Sequence, residues 1–272
     1  MNIQAKSDNK MDTQQGKVST EQKQHIFLIG LDRVEKRNAF DSFMIEALAQ
    51  ALTDYENNPQ LRCAVIFAHG EHFTAGLDLF QLQPFLQSGQ SLFPQDKINP
   101  WGTSAKHRTK PVIVAVQGTC FTAGIELMLN ADIAIAADNS HFAQMEVQRG
   151  ILPFGGATAR FVQAAGWSNA MRYILTGDSF DAQTALKMNL ITEICPAEQL
   201  FARAIALAQS ISHAAPLAVQ ASLAAAHEAF DLGVTQALAR LPQHLEPLLK
   251  SQDAIEGVLA MQQKRKPQFK GQ

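Results

Sequence analysis

Lys110-Pro-Val-Ile-Val-Ala-Val-Gln-Gly-Thr-Cys-Phe-Thr-Ala-Gly-Ile-Glu-Leu-Met-Leu-Asn-Ala-Asp132 is the stretch that decides how this chain folds. Val112 to Val116 is an unbroken apolar run, the composition of a strand covered on both faces. Ala123 to Asn130 reads as a helix, and Ile133-Ala-Ile-Ala136 as the next apolar strand. Continuous strands separated by helices predict an α/β architecture with parallel pairing. Inside this stretch stands Glu126, and a second segment, His141-Phe-Ala-Gln-Met-Glu-Val-Gln-Arg-Gly-Ile-Leu-Pro-Phe-Gly-Gly156, carries Glu146. Carboxylates in such apolar surroundings need a reason, because burying an unpaired charge is costly. Two of them on different elements suggest a general acid and a general base facing one substrate.

Working outward toward the N-terminus, Cys63-Ala-Val-Ile-Phe-Ala68 and Ile26-Phe-Leu-Ile-Gly-Leu31 are two further strands of the same kind. Asp41 is placed to cap a helix whose apolar positions Met44, Leu48, Leu52 and Tyr55 follow helical spacing. Residues 81–109 read as an irregular stretch, broken by Pro84, Gly89, Pro94, Pro100 and Gly102 but holding Phe85, Leu86, Leu92, Phe93 and Trp101. Long loops of this kind in a compact domain tend to be functional. After Pro196 the character changes. Residues 197–212, 217–230 and 251–263 read as Ala- and Leu-rich helices, punctuated by Pro216, Gly233, Pro242 and Pro247. Their apolar surface suits packing on a second subunit or on the chain's own core. The reading therefore has three parts: a flexible polar arm over 1–24, a core over 25–196, and a helical region over 197–272.

Composition narrows the class. Of the 272 residues 46% are hydrophobic and 18% charged, as in a globular protein, which excludes wholesale disorder. A formal net charge of −2 leaves no electrostatic footprint for nucleic acid, and Lys264-Arg-Lys266 is the leading candidate for a local basic patch. Cys63, Cys120 and Cys195 lie far apart, without ligand spacing, and read as buried hydrophobes in a reducing compartment. His69, His72, His107 and His141 have no metal-ligand spacing either. With no run of membrane-span length and no apolar segment in the polar N-terminus, a cytoplasmic location and no membrane partner are expected.

Four motifs, in order, resemble the enoyl-CoA hydratase/isomerase (crotonase) superfamily. Arg33-Val-Glu-Lys-Arg-Asn-Ala-Phe40 is similar to the family's RPEKRNAL, and Gly70-Glu-His-Phe-Thr-Ala-Gly-Leu-Asp-Leu79 to its GxxFxAGxDL. The 110–132 stretch and residues 141–160 are the third and fourth. Leu175-Thr-Gly-Asp178, Asn189-Leu-Ile-Thr-Glu-Ile-Cys-Pro196 and the tail Gln263-Lys-Arg-Lys-Pro-Gln-Phe-Lys270 are weaker matches. The resemblance implies a crotonase-like spiral of ββα turns, a helical C-terminal trimerisation region, a homotrimer or hexamer, and an acyl-CoA substrate. It implies no metal and no separate cofactor, since coenzyme A is part of the substrate.

It also implies roles. Backbone N–H groups suit the stabilisation of a thioester oxyanion because they are fixed in place. The resemblance puts these donors at Leu77 and at Ala123, a departure from the family's glycine. It matches Glu126 and Glu146 to the two hydratase glutamates, Glu126 activating water for attack at Cβ and Glu146 delivering the Cα proton. Each also has a plain reading: Glu126 as charge at a helix start, Glu146 as a loop carboxylate paired with Arg149. Met145 and Phe154 depart from the family's usual proline and glycine and point to a reshaped acyl end. Ala75 and Phe154 are assigned to substrate binding. Arg33, Lys36 and Arg37 either face the CoA phosphates or form a solvated turn. Phe85, Leu92, Phe93 and Trp101 either line an acyl tunnel or pack in the core. Asp78 is expected to cap a helix and Asp132 to be structural. Hydration of a 2-enoyl-CoA is the leading activity. Isomerisation or thioester hydrolysis on the same fold are alternatives, and a non-catalytic or RNA-binding protein is a more remote one.

Overall fold

Apolar runs buried on both faces build the centre of the molecule. The computed structural model describes residues 15–272 apart from Gln90 and Ala105. In chain order its elements are β1 (Lys17–Lys23), β2 (Ile26–Asp32), α1 (Ser42–Asn57), β3 (Cys63–Ala68), α2 (Leu79–Ser88), β4 (Val112–Val116), β5 (Thr119–Phe121) and α3 (Ala123–Leu129). They continue as β6 (Ile133–Ala137), β7 (His141–Ala143), α4 (Ala157–Ala165), α5 (Trp167–Thr176), β8 (Ser179–Asp181), α6 (Ala182–Lys187) and β9 (Glu193–Cys195). The helices α7 (Leu200–Ser212), α8 (Pro216–Leu232), α9 (Val234–Leu249) and α10 (Gln252–Gln262) complete the chain.

The large sheet runs β1-β2-β3-β4-β6-β9, parallel throughout except for the antiparallel edge strand β1. A small sheet, β5-β7-β8, stands beside it. A turn of the fold therefore repeats as a large-sheet strand, a small-sheet strand and a helix: β4-β5-α3, then β6-β7-α4. One apolar layer, holding Ile66, Val114, Leu48, Met128 and Phe161, packs on one face of the large sheet. The other face, with Val65, Ile113 and Ile135, is covered by α7 through Leu200, Ala204 and Ala208. Parallel strands covered on both sides must be apolar along their length, which is why these runs were legible.

Asp41 caps α1 as expected, accepting from the Met44 N–H at 2.7 Å. It also accepts from Gly16 N at 2.6 Å and pairs with Arg33.

Three expectations need correction. Residues 17–23 do not belong to a flexible arm; they form β1, whose polar composition suits an exposed edge strand. The rest of that predicted arm, residues 1–14, lies outside the described residues. The stretch 81–109 is not wholly irregular, because α2 reaches Ser88 and carries Pro84 within it. Pro242 and Pro247 do not interrupt the C-terminal region; both lie inside α9, which packs along α8. Asp78 caps α2, accepting from Gln81 N at 3.3 Å.

Candidate active site

The loops that follow β3 and β4 run side by side. Thr74 N donates to Thr119 O at 2.9 Å and Phe121 N returns a bond to Thr74 O at 3.1 Å. Gly76, at φ 92°, lies so close to Thr122 that a Cβ there would overlap its hydroxyl. Leu77 and Ala123 are thus the next residues on two touching segments. Among the described residues, neither the Leu77 N–H nor the Ala123 N–H donates a hydrogen bond. Thr122 turns the chain into α3 at φ 49°, ψ −111°, a conformation costly for a β-branched residue. Nothing in the composition of the segment signalled that strain.

Glu126 lies in the first turn of α3 and is 3% exposed. Its Oε1 accepts from Gly155 N at 2.8 Å and from Ala157 N at 3.1 Å, the N–H groups at the start of α4. Its Oε2 makes no hydrogen bond among the described residues. A Cβ on Gly155 would sit 2.5 Å from that oxygen and 2.9 Å from Trp101 Cδ1, so only glycine lets the backbone come this close. Burial pushes the Glu126 carboxyl above the usual range, while the Ala157 and Gly155 N–H groups and the Arg160 guanidinium pull it back.

Glu146 opens a short 3₁₀ turn after β7 and is 5% exposed. Its Oε1 accepts from Gln144 Nε2 at 2.8 Å, and its Oε2 is buried with no partner among the described residues. Burial first, and then the negative charge of Glu126, raise its pKa to about 7. The two carboxyls therefore feel each other, and their environments differ. Glu126 has two N–H donors and a nearby cation that favour the anion. Glu146 has one amide donor and one buried oxygen without a partner among the described residues, which favours the acid. Gln144 is itself fully buried, with its own Oε1 unpaired. A glutamine amide suits either state of its neighbour, donating to a carboxylate or, turned over, accepting from a carboxylic acid. Glu146 is not paired with Arg149, which is exposed and, among the described residues, donates to Gln148 O.

Trp101, in the segment between α2 and β4, is 1% exposed. Its indole N–H donates to Ala123 O at 2.8 Å, and its ring meets Phe40 edge-on and Phe93 at a tilt. The aromatic reading of this segment thus divides. Trp101 and the half-buried Phe93 belong to the wall behind α3, whereas Phe85 is partly exposed on α2. Phe154 is half-buried, next to Gly155, and Ala75 is tied through its N–H to Arg37 O. Arg33, expected as a phosphate contact, is instead buried. It donates to Asp78 at 2.9 Å and to Ala39 O at 3.0 Å and pairs with Asp41, so its charge is answered inside the protein. Lys36 and Arg37 remain exposed on the adjoining turn. Asp132 is structural, bound by Arg108 at 2.6 Å and by Val112 N at 2.7 Å. Among the described residues no three His, Cys, Asp or Glu side chains cluster as a metal site requires, and no helix is long and apolar enough to cross a membrane.

Comparison with known proteins bears on this arrangement. The family model described as enoyl-CoA hydratase/isomerase matches residues 21–272. A probable enoyl-CoA hydratase echA8 of Mycobacterium tuberculosis is 31% identical over 252 residues, covering 93% of this chain and 97% of its own length. The 2,3-dehydroadipyl-CoA hydratase of Escherichia coli is 30% identical over 248 residues, covering 91% and 96%. A crystal structure of a probable enoyl-CoA hydratase/isomerase from Mycobacterium abscessus superposes with a TM-score of 0.91 at 45% identity, covering 94% of this chain and 98% of that one. The α/β spiral expected from the sequence is the fold these proteins share with the chain.

Proposed function

The chain belongs to the enoyl-CoA hydratase/isomerase family, and we propose that it adds water reversibly across the double bond of a 2-enoyl-CoA thioester. The observation that carries this reading is a pair of buried carboxyls with unequal surroundings. Burial raises both, but Glu126 is offset by the Gly155 and Ala157 N–H groups and by Arg160, whereas Glu146 has one amide donor and a buried oxygen without a partner among the described residues. Water attack at Cβ needs a base, and protonation at Cα needs an acid. The unequal surroundings of the two carboxyls support Glu126 as the base and Glu146 as the acid.

In the forward direction the unbonded Oε2 of Glu126 takes a proton from water as its oxygen bonds to Cβ. The electrons of the double bond move toward the thioester oxygen, where the Leu77 and Ala123 N–H groups receive the developing charge. Glu146 then gives its proton to Cα, restoring the thioester carbonyl. One water enters and a 3-hydroxyacyl-CoA leaves, with the acid and base exchanging protonation states and returning through solvent. Lys36 and Arg37 are exposed on the turn that the Ala75 N–H bonds through Arg37 O, and they are assigned to the CoA phosphates. Ala75, Phe93, Trp101 and Phe154 are assigned to the acyl side. No cofactor is assigned beyond the coenzyme A of the substrate.

We assign the assembled form as a homotrimer or a pair of trimers. The support is α9, which leaves Val234, Leu238, Leu241, Leu245 and Leu249 exposed along one stripe.

The test is loss of enoyl absorbance on adding purified protein to short- and long-chain 2-enoyl-CoAs, repeated with Glu126→Gln and Glu146→Gln. Each substitution is expected to lower kcat by about 10²–10⁴-fold. Absence of hydration at every chain length sinks the reading, and full activity in either variant sinks the roles.

A further inference from the structure

The geometry points to Arg160 as the positioning residue that locks the oxyanion helix α3 and the Glu126 carboxylate into one working arrangement. This rests on the hydratase reading above for what the arrangement does, but the clamp itself is a matter of contacts. Residues 99–102 form a strap across α3, tied at three points. Asn130, at the end of α3, donates through Nδ2 to Pro100 O at 2.9 Å. The Trp101 indole donates to Ala123 O at the start of α3. The third tie is Arg160, reaching across from α4. Its Nη1 donates to Trp101 O at 2.8 Å and, more weakly, to Gly155 O at 3.4 Å. Its Nη2 donates to Gly102 O at 3.0 Å.

One planar guanidinium thus holds three carbonyls from two loops, a pattern that a lysine's point charge cannot reproduce. The slot is cut to the side chain. A Cβ on Gly156, at φ 110°, would overlap Nη1, and one on Gly102, at φ 61°, would come within 3.0 Å of Nη2. Two of these carbonyls lead to the chemistry. Holding Trp101 O keeps the indole on Ala123 and so fixes the first turn of α3, where the oxyanion N–H lies. Holding Gly155 O keeps the Gly155 N–H on Glu126 Oε1. Arg160 also has no carboxylate within ion-pair distance among the described residues. The anion whose charge acts on it is Glu126, opposed by the charge of Arg108, and Glu126 in turn acts on Glu146.

Arg160 therefore acts through Trp101, Gly155 and the charge of Glu126, and not by touching substrate. The experiment uses the full chain carrying Arg160→Met, Arg160→Gln or Arg160→Lys, assayed for hydration of a short 2-enoyl-CoA across pH. Met and Gln are expected to lower kcat by about 10²-fold through misplacement, with KM changed less than about threefold. They should also move the acid limb of kcat/KM to higher pH, because Glu126 loses the cation that favours its ionised form. Lys should return the acid limb to its wild-type position while recovering only part of kcat.

A second readout is independent of turnover. Of the two tryptophans, Trp101 is buried and Trp167 exposed, so Trp167→Phe leaves Trp101 as the reporter. In that background Arg160→Met should shift emission to the red and increase acrylamide quenching. Wild-type protein that hydrates no enoyl-CoA, yet shows this shift on substitution, defeats the reaction reading and leaves the clamp standing. Unshifted emission with kcat within about threefold in all three variants overturns the clamp. So does a fall in kcat with neither the acid limb nor the emission displaced.

Discussion

Glu146→Gln should make the protein more stable at neutral pH, and more so as pH rises. In the folded chain Glu146 holds its proton up to about pH 7, against 4.5 for a free side chain. At about 1.4 kcal/mol per tenfold change in proton affinity, that difference amounts to ~3 kcal/mol. The sign follows from proton counting. Between pH 4.5 and about 7 the folded state binds more protons at this site than the unfolded state, so stability falls as pH rises through that window. Below it both states are protonated and nothing is lost; above it the full penalty applies. A glutamine carries no charge and escapes the penalty at every pH. The assay is urea unfolding of both proteins at pH 4, 5, 6, 7 and 8, at one fixed protein concentration because assembly would shift the midpoints. The advantage of the variant over wild type should grow by ~3 kcal/mol across the series while its hydration rate collapses. Part of the penalty is repulsion from Glu126, so the same substitution made on a Glu126→Gln background should gain less. A difference that stays flat from pH 4 to 8 would refute the claim that Glu146 is held as an acid by its surroundings.

Two further perturbations probe the frame around the pair. Gly155→Ala drives a methyl to within 2.5 Å of Glu126 Oε2 and 2.9 Å of Trp101, and should cost about 1–3 kcal/mol of stability and on the order of 10²-fold in kcat. Thermal unfolding and steady-state kinetics check it, and an active, stable variant would show that the packing around Glu126 yields to a methyl group. Leu241→Glu with Leu245→Glu places two charges on the apolar stripe of α9, where the wild-type side chains are exposed in the single chain. Light scattering coupled to size exclusion should then report a mass falling from a multiple of 29.7 kDa toward that value; an unchanged mass removes α9 from the interface.

Much of this fold is legible in the amino-acid sequence, for a physical reason. Strands β2, β3, β4 and β6 are buried on both faces, so their sequences are apolar without a break, and Asp41 caps α1 through a local side-chain bond. Where the determinant was not local, the reading failed. β1 has the composition of solvent-exposed chain because it is an edge strand, and it exists only by pairing with β2. Pro242 and Pro247 looked like punctuation because local propensity disfavours proline within a helix, yet α9 continues through both, packed along α8. Arg33 looked like a phosphate ligand because its partners Asp41 and Asp78 come from other elements.

The same distinction governs the site. Glu126 and Glu146 stood out as carboxylates in apolar segments, and Trp101 as an aromatic in a Pro- and Gly-rich stretch. What separates the two carboxyls comes from farther away. Glu126 is kept toward its anion by Gly155 and Ala157, 29 and 31 residues along the chain, and by Arg160 beyond them. Glu146 has only Gln144, two residues back, and one oxygen left without a partner. Spacing along a chain can therefore nominate a pair of groups for acid–base work. Which contacts each carboxyl receives is decided only when the chain folds, since the N–H groups at the start of α4 reach Glu126 when that helix docks.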